Sequence, residues 1–168
     1  MKNSVSFNVD HLKLTRGIYL SKIDTLGDVQ TITLDIRLRK PYKEEIITNK
    51  ALHSFEHCFA TAVRDVSDGY ENAMISYFGP MGCQTGFYLV VNFKDYTQDK
   101  YFPLFAKLLK ESLVYLRGMK EIPANNEKQC GFCYSLGEMA DAIAVAEDME
   151  NLVDEMTRQG GFHTYVYL

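Results

Sequence analysis

No stretch of this chain approaches the ~18 uninterrupted apolar residues of a membrane-spanning helix; the longest candidate, Phe87 to Phe93, is the length of a strand. The N-terminus, MKNSVSFNVDHLKL, lacks the apolar block and small-residue cleavage site of a secretory signal. A basic excess is missing as well. Lys and Arg number 18 against 22 Asp and Glu, a formal charge of −4, which argues against a nucleic-acid partner, since such a surface needs cations to collect phosphates. Cysteine is scarce, at four residues. Without an export signal these read as reduced thiols, serving as ligands or reactive groups rather than disulfides, and the expected location is the cytoplasm with no membrane partner. No repeat, low-complexity tract or Gly/Ser-rich linker divides the chain, so residues 1–168 read as one domain.

What is present suits a globular core: 46% hydrophobic and 24% charged residues over 168 positions. Val29–Leu38 alternates, with Ile32, Leu34, Ile36 and Leu38 on one face and Thr31, Thr33, Asp35 and Arg37 on the other. That pattern predicts a half-buried strand with Arg37 on its polar side, ended by Pro41. Asn49 is the predicted N-cap of a helix over Lys50 to Val66, striped by Leu52, Phe55, Phe59, Ala62, Val63 and Val66. A short apolar run, Ala73–Phe78, precedes the turn-rich Gly79 to Gly86, and a buried strand is expected at Phe87–Phe93. A helix is predicted over Tyr101 to Arg117 with Pro103 in its first turn, then a polar loop from Glu121 to Tyr134. A last helix spans Leu136 to Arg158, and Gly160-Gly161 leads into an expected terminal strand, Phe162–Leu168. Strands and helices do not alternate strictly. The fold class is therefore read as α+β, an antiparallel sheet packed against helices in a single-domain sandwich.

The sharpest chemical signal is His53-Ser54-Phe55-Glu56-His57 on the predicted helix. Histidines at i and i+4 lie one above the other, so two imidazoles can reach one cation, and Glu56 is placed to move protons beside it. A catalytic site of this kind needs a third protein ligand. Glu127 or Glu138 would supply it in the manner of the inverted zinc peptidases, and Cys130 would supply it as a thiolate. Cys130 and Cys133 also form a C-x-x-C, the spacing of a redox pair, though without a thioredoxin-like context. Cys83, flanked by glycines in Pro80-Met81-Gly82-Cys83-Gln84-Thr85-Gly86, is a candidate thiolate base, while Cys58 reads as core filler.

Taken in order, His53-Ser54-Phe55-Glu56-His57, Pro80-Met81-Gly82-Cys83-Gln84-Thr85-Gly86-Phe87-Tyr88 and Asn126-Glu127-Lys128-Gln129-Cys130-Gly131 resemble the S-ribosylhomocysteine lyase family. Ser6-Phe7 with Asp10-His11, and Asp35-Ile36-Arg37, match two further segments. The resemblance implies cleavage of S-ribosylhomocysteine to homocysteine and 4,5-dihydroxy-2,3-pentanedione, the autoinducer-2 precursor of quorum sensing, within the methyl cycle. It implies His53, His57 and Cys130 as ligands of one Fe(II) per subunit, with zinc or cobalt able to substitute, and Glu56 and Cys83 as the acid/base pair. It implies Ser6, His11 and Arg37 as substrate-contacting residues supplied by a neighbouring subunit, and hence a homodimer with its site at the interface. Three positions depart from the family pattern: Tyr77 replaces an aspartate near the substrate, Gly79 a serine, and Arg39 an uncharged residue. Arg39 reads as a solvated strand-end charge. Tyr77 leaves standing a diverged isomerase or lyase on another ribosyl or ketose substrate, and the H-x-x-E-H spacing leaves standing an inverted-motif zinc peptidase or a metal-stabilised binding module without turnover.

Overall fold

The structure is a computed structural model and describes residues 4–168. Four strands, β1 (Gly17–Leu26), β2 (Val29–Arg37), β3 (Ala73–Pro80) and β4 (Gly86–Lys94), form one antiparallel sheet in the order β1-β2-β4-β3. Three helices, α1 (Asn49–Ser67), α2 (Tyr101–Arg117) and α3 (Met139–Gln159), join them. The α+β reading holds.

The central pair is β2 and β4, in register from Val29 opposite Lys94 to Arg37 opposite Gly86. Period-2 alternation puts Ile32, Leu34, Ile36, Phe87, Leu89 and Val91 on one face, all fully buried. Helix α1 lays Phe55 and Phe59 onto that face. Their rings meet Phe78 and Phe87 at centroid separations from 4.7 to 6.0 Å, close enough for aromatic contact beyond simple area burial. Because those phenylalanines anchor one side of α1, the side bearing His53, Glu56 and His57 is held at a fixed height above the core.

Several boundaries differ from the sequence-based expectation. The cap of α1 is Thr48, whose side chain accepts from the Ala51 amide, with Asn49 already helical. Helix α3 begins at Met139 rather than Leu136, where Glu138 and Asp141 form a capping box. Strand β1 was not expected at all. Its register shifts between Leu20 and Lys22, so a bulge breaks the alternation that would have marked it. Residues 162–168 are not a strand: they make two isolated bridges, Tyr19 with His163 and Val9 with Tyr167.

The second face of the sheet is not simply solvated. Asp35 and Arg37, expected on the polar side, are 1% and 2% exposed. They are covered by the N-terminal segment and by the chain that follows α3, around a small cluster of Val9, Leu14, Tyr19 and Tyr165. Arg39 is not free in solvent either. With Arg16 it pairs with Asp148 of α3.

Candidate active site

His53 and His57 stand one turn apart on α1, with ring centroids 4.6 Å apart and planes at 86°. Each ring is held by its Nδ1. The His57 Nδ1 lies 2.8 Å from the Pro123 carbonyl, and since a carbonyl oxygen only accepts, Nδ1 carries the proton and Nε2 keeps its lone pair. The His53 Nδ1 lies 2.6 Å from the Ser135 hydroxyl, which itself donates to the Phe132 carbonyl at 3.0 Å. With its proton committed there, the hydroxyl accepts from His53, and that ring also presents a bare Nε2. Burial, then the neighbouring His57, lowers the pKa of His53, favouring the neutral imidazole a metal needs.

The third donor comes from the loop between α2 and α3. Asn126 turns that loop: its side chain accepts from the Lys128 amide at 3.1 Å, and its carbonyl accepts from the Gln129 and Cys130 amides at 3.2 and 3.0 Å. The turn delivers the Cys130 sulfur to 3.6 Å from His53 Nε2. All three donor atoms lie within 4.8 Å of one another. Metal bonds of about 2.0–2.3 Å in a tetrahedron place neighbouring donors about 3.5 Å apart, so the set fits one ion with little adjustment. Two imidazoles and a thiolate suit zinc or Fe(II).

The glutamates that a peptidase reading requires are engaged elsewhere. Glu127 accepts from the Tyr134 phenol and Glu138 caps α3. Among the described residues, the His53, His57 and Cys130 donors are the one such group within reach of a common ion. All four cysteines are free thiols, including Cys130 and Cys133. Cys58 is fully buried, and burial pushes its thiol up to about 11, as befits core filler. Glu56, one residue before His57, is half-buried, and burial raises its carboxyl above the ordinary range, with His57 opposing.

Cys83 sits in the turn between β3 and β4. Gly86 must be glycine there, because a Cβ would run into the Ile36 carbonyl of β2. That close approach lets Arg37 of β2 reach the turn: its Nη1 is 2.5 Å from the Thr85 hydroxyl and 3.6 Å from the Cys83 sulfur. The Cys83 sulfur is 3.0 Å from the same hydroxyl. Burial alone would raise the Cys83 thiol, but hydrogen bonding to Thr85 and the Arg37 charge outweigh it, and the net shift is downward. Arg37 stays charged for a similar reason. Burial works against the guanidinium, and the Asp35 carboxylate more than compensates, with contacts of 2.6 and 3.1 Å. Arg37 and Cys83 thus meet within one chain.

The remaining expected residues lie on the far face of the sheet. Ser6 occupies a short 3-10 turn, Val5–Asn8, and lines a cavity of about 580 Å³ with Ser4, Lys22, Tyr77 and Tyr88. The Tyr88 phenol feels both Asp35 and Arg37, so that cavity adjoins the Cys83 group. His11 directs Nδ1 to the Val9 carbonyl at 2.8 Å. Sequence reasoning missed Thr85, Ser135 and the Pro123 carbonyl. Short polar contacts of this kind leave no periodic trace. Asp35 was visible only as the neighbour of Arg37 on an alternating strand.

Comparison with known proteins agrees with this geometry. The family model described as S-Ribosylhomocysteinase (LuxS) matches residues 5–159. A protein of Borreliella burgdorferi named S-ribosylhomocysteine lyase is 43% identical over 131 residues, covering 78% of this chain and 80% of that protein. Proteins of the same name from Clostridium acetobutylicum and Porphyromonas gingivalis are 39% and 34% identical, over 78% and 79% of this chain and 79% and 80% of their own lengths. With the match spanning both histidines, the thiolate loop and the Cys83 turn, the chain belongs to the S-ribosylhomocysteinase (LuxS) family.

Proposed function

We propose that this protein cleaves S-ribosylhomocysteine to homocysteine and 4,5-dihydroxy-2,3-pentanedione, the autoinducer-2 precursor. The observation that carries the reading is the convergence of His53, His57 and Cys130 on one ion-sized space in a chain of this family. The ion we assign there is Fe(II), with zinc or cobalt as substitutes, one per subunit. When bound, it supplies Lewis-acid stabilisation of the negative charge that develops on adjacent sugar oxygens.

The thioether is not broken directly, because nothing would stabilise the charge left on carbon. Moving the sugar carbonyl from C1 to C2 and then to C3 makes the C4 proton acidic. Loss of that proton forms the C3–C4 enolate, whose electrons expel the C5 sulfur as homocysteine thiolate, and the thiolate then takes up a proton. No redox cofactor enters this balance. Proton transfers at several carbons need two groups in different protonation states. The Cys83 thiol, lowered by Thr85 and Arg37, is assigned as the base, and the Glu56 carboxyl, shifted upward by burial, as the group that returns the proton.

Ser6, His11 and Arg37 are assigned to substrate contacts. Arg37 acts beside Cys83 of its own chain, while Ser6 and His11 are offered to a second copy. The helix-free face of the sheet, with its cavity between Ser6 and Tyr77, is the surface we assign to a homodimer. Cytoplasmic residence follows from the reduced thiols the site requires.

The test is release of homocysteine from S-ribosylhomocysteine by anaerobically purified protein, followed with a thiol reagent. Stoichiometric thiol release supports the assignment; a metal-loaded protein that releases none overturns it. The Tyr77 phenol on the cavity wall favours one second reading, a lyase or isomerase acting on another ribosyl or ketose sugar, which the same preparation tests with ribose 5-phosphate and ribulose 5-phosphate.

A further inference from the structure

Residues 160–168 lie beyond the family match, which ends at 159. They nevertheless connect to the Cys83 thiol, through the side chains of Asp35 and Arg37. Gly160 and Gly161, at φ +90° and +152°, turn the chain back from α3, and the His163 amide donates to the Ile18 carbonyl at 2.9 Å. Farther on, the Val166 carbonyl accepts from Asp10 and the Leu168 amide donates to Asn8, at 2.8 and 2.9 Å. The tail thereby grips the segment that carries Ser6 and His11.

Between those anchors Tyr165 turns inward. Its ring stacks on Tyr19 with centroids 4.7 Å apart and planes within 5°. Its phenol donates to Asp35 Oδ2 at 2.9 Å. The same carboxylate receives Arg37 through Nε at 3.1 Å and Nη2 at 2.6 Å. Arg37 then spends its remaining nitrogen on Thr85 and Cys83. A continuous line of polar contacts runs from the tail to the sulfur, through two groups almost wholly out of solvent.

We propose that Tyr165 is a positioning residue for Cys83: by pinning the Asp35 carboxylate it fixes the Arg37 guanidinium against the sulfur. A carboxylate held by Arg37 alone can pivot with the guanidinium as a unit. A third contact, from a ring clamped by Tyr19, takes that freedom away and sets where the positive charge sits. Asp35 and Arg37 are buried while Cys83 beside them is exposed, so the guanidinium is screened weakly on the protein side of the sulfur, and a small displacement of its charge is felt there. The charged and titratable groups facing Cys83 are Arg37 from β2, with Asp35 behind it, and Tyr88 from β4; Thr85 adds its hydroxyl from the turn. The raised Tyr165 phenol, buried and beside Asp35, stays protonated and keeps donating.

The relevance to turnover rests on the lyase reading, but the test does not need a substrate. In metal-loaded full-length protein, the rate of Cys83 alkylation by iodoacetamide is followed against pH, with the modified peptide resolved by mass spectrometry. Tyr165→Phe keeps the stack on Tyr19 and removes one hydroxyl. The midpoint is expected to rise by roughly half a pH unit, about threefold less thiolate at neutral pH, with metal content unchanged. Asp35→Asn tests the route: Tyr165→Phe is expected to add nothing in that background. An unchanged midpoint overturns the proposal, and so does a shift that adds fully to that of Asp35→Asn. Should no homocysteine be released while the midpoint still moves, the positioning role stands and the lyase reading fails.

Discussion

The Tyr77 hydroxyl lies over Gly79, in the space that a side chain at position 79 would need: a Cβ built there overlaps it. The two residues sit two apart on β3, opposite Val90 and Tyr88 of β4, on the face that carries the Ser6 cavity. A side chain at position 79 and the Tyr77 phenol in its present place therefore exclude each other, so the two positions where the resemblance implies a departure are coupled.

That coupling makes the first prediction. Gly79→Ser alone should push the phenol out of place and impair turnover, whereas Tyr77→Asp with Gly79→Ser should restore it. If the substrate ammonium docks at this cavity, Tyr77→Asp should lower KM by about tenfold, the worth of a charge-assisted hydrogen bond of roughly 1.5 kcal/mol. Steady-state kinetics on the three variants give the answer; an unchanged or higher KM counts against ammonium docking.

The metal centre is tested by content rather than rate. Cys130→Ala should leave the protein folded and close to metal-free by elemental analysis, while Glu127→Ala and Glu138→Ala should retain the ion. Ser135→Ala removes the group that fixes the His53 ring, and should weaken metal affinity by about 10- to 100-fold in a chelator competition.

The pH dependence has a definite sign. Cys83 is lowered, so its thiolate forms at lower pH than that of a free cysteine, and the ascending limb of the rate profile should lie on the acid side of a free thiol's titration. Thr85→Val removes the hydroxyl in contact with the sulfur and should move that limb to higher pH. A limb that does not move would place the base elsewhere. Glu56 is raised, so a proton it donates is kept to higher pH than an ordinary carboxyl would keep it.

Stability rests on the aromatic cluster beneath α1. Phe55 is fully buried against Phe59, Phe78 and Phe87, and Phe55→Ala should cost about 3–5 kcal/mol by urea denaturation. The loss should also loosen the histidine pair, since Phe55 holds the face of α1 opposite His53 and His57.

Local patterning made much of this protein legible. Alternation in Val29–Leu38 and the aromatic and β-branched content of Phe87–Phe93 marked the two central strands, and the apolar stripe of Lys50 to Val66 marked α1. Strand β1 escaped because its bulge shifts the side chains by one position after Leu20, and the start of α3 because the Gly137 amide is diverted to the Ser54 hydroxyl at 2.8 Å. The tail read as a strand, yet its ladder pairing is limited to two isolated bridges, to Tyr19 and Val9.

Helical geometry is local, so two histidines four positions apart already implied one cation and a carboxylate beside it. Which distant group would complete the set was open between Cys130, Glu127 and Glu138, since chain separation says nothing about approach; the Asn126 turn and the packing of the α2–α3 loop decided for the thiolate. The Arg37 and Cys83 contact, 46 positions apart in the chain, depends on a glycine that brings two backbones together and on a tail whose Tyr165 caps the Asp35 carboxylate behind Arg37. Neither effect leaves a period in the sequence, because both arise from surfaces that meet only once the chain has folded.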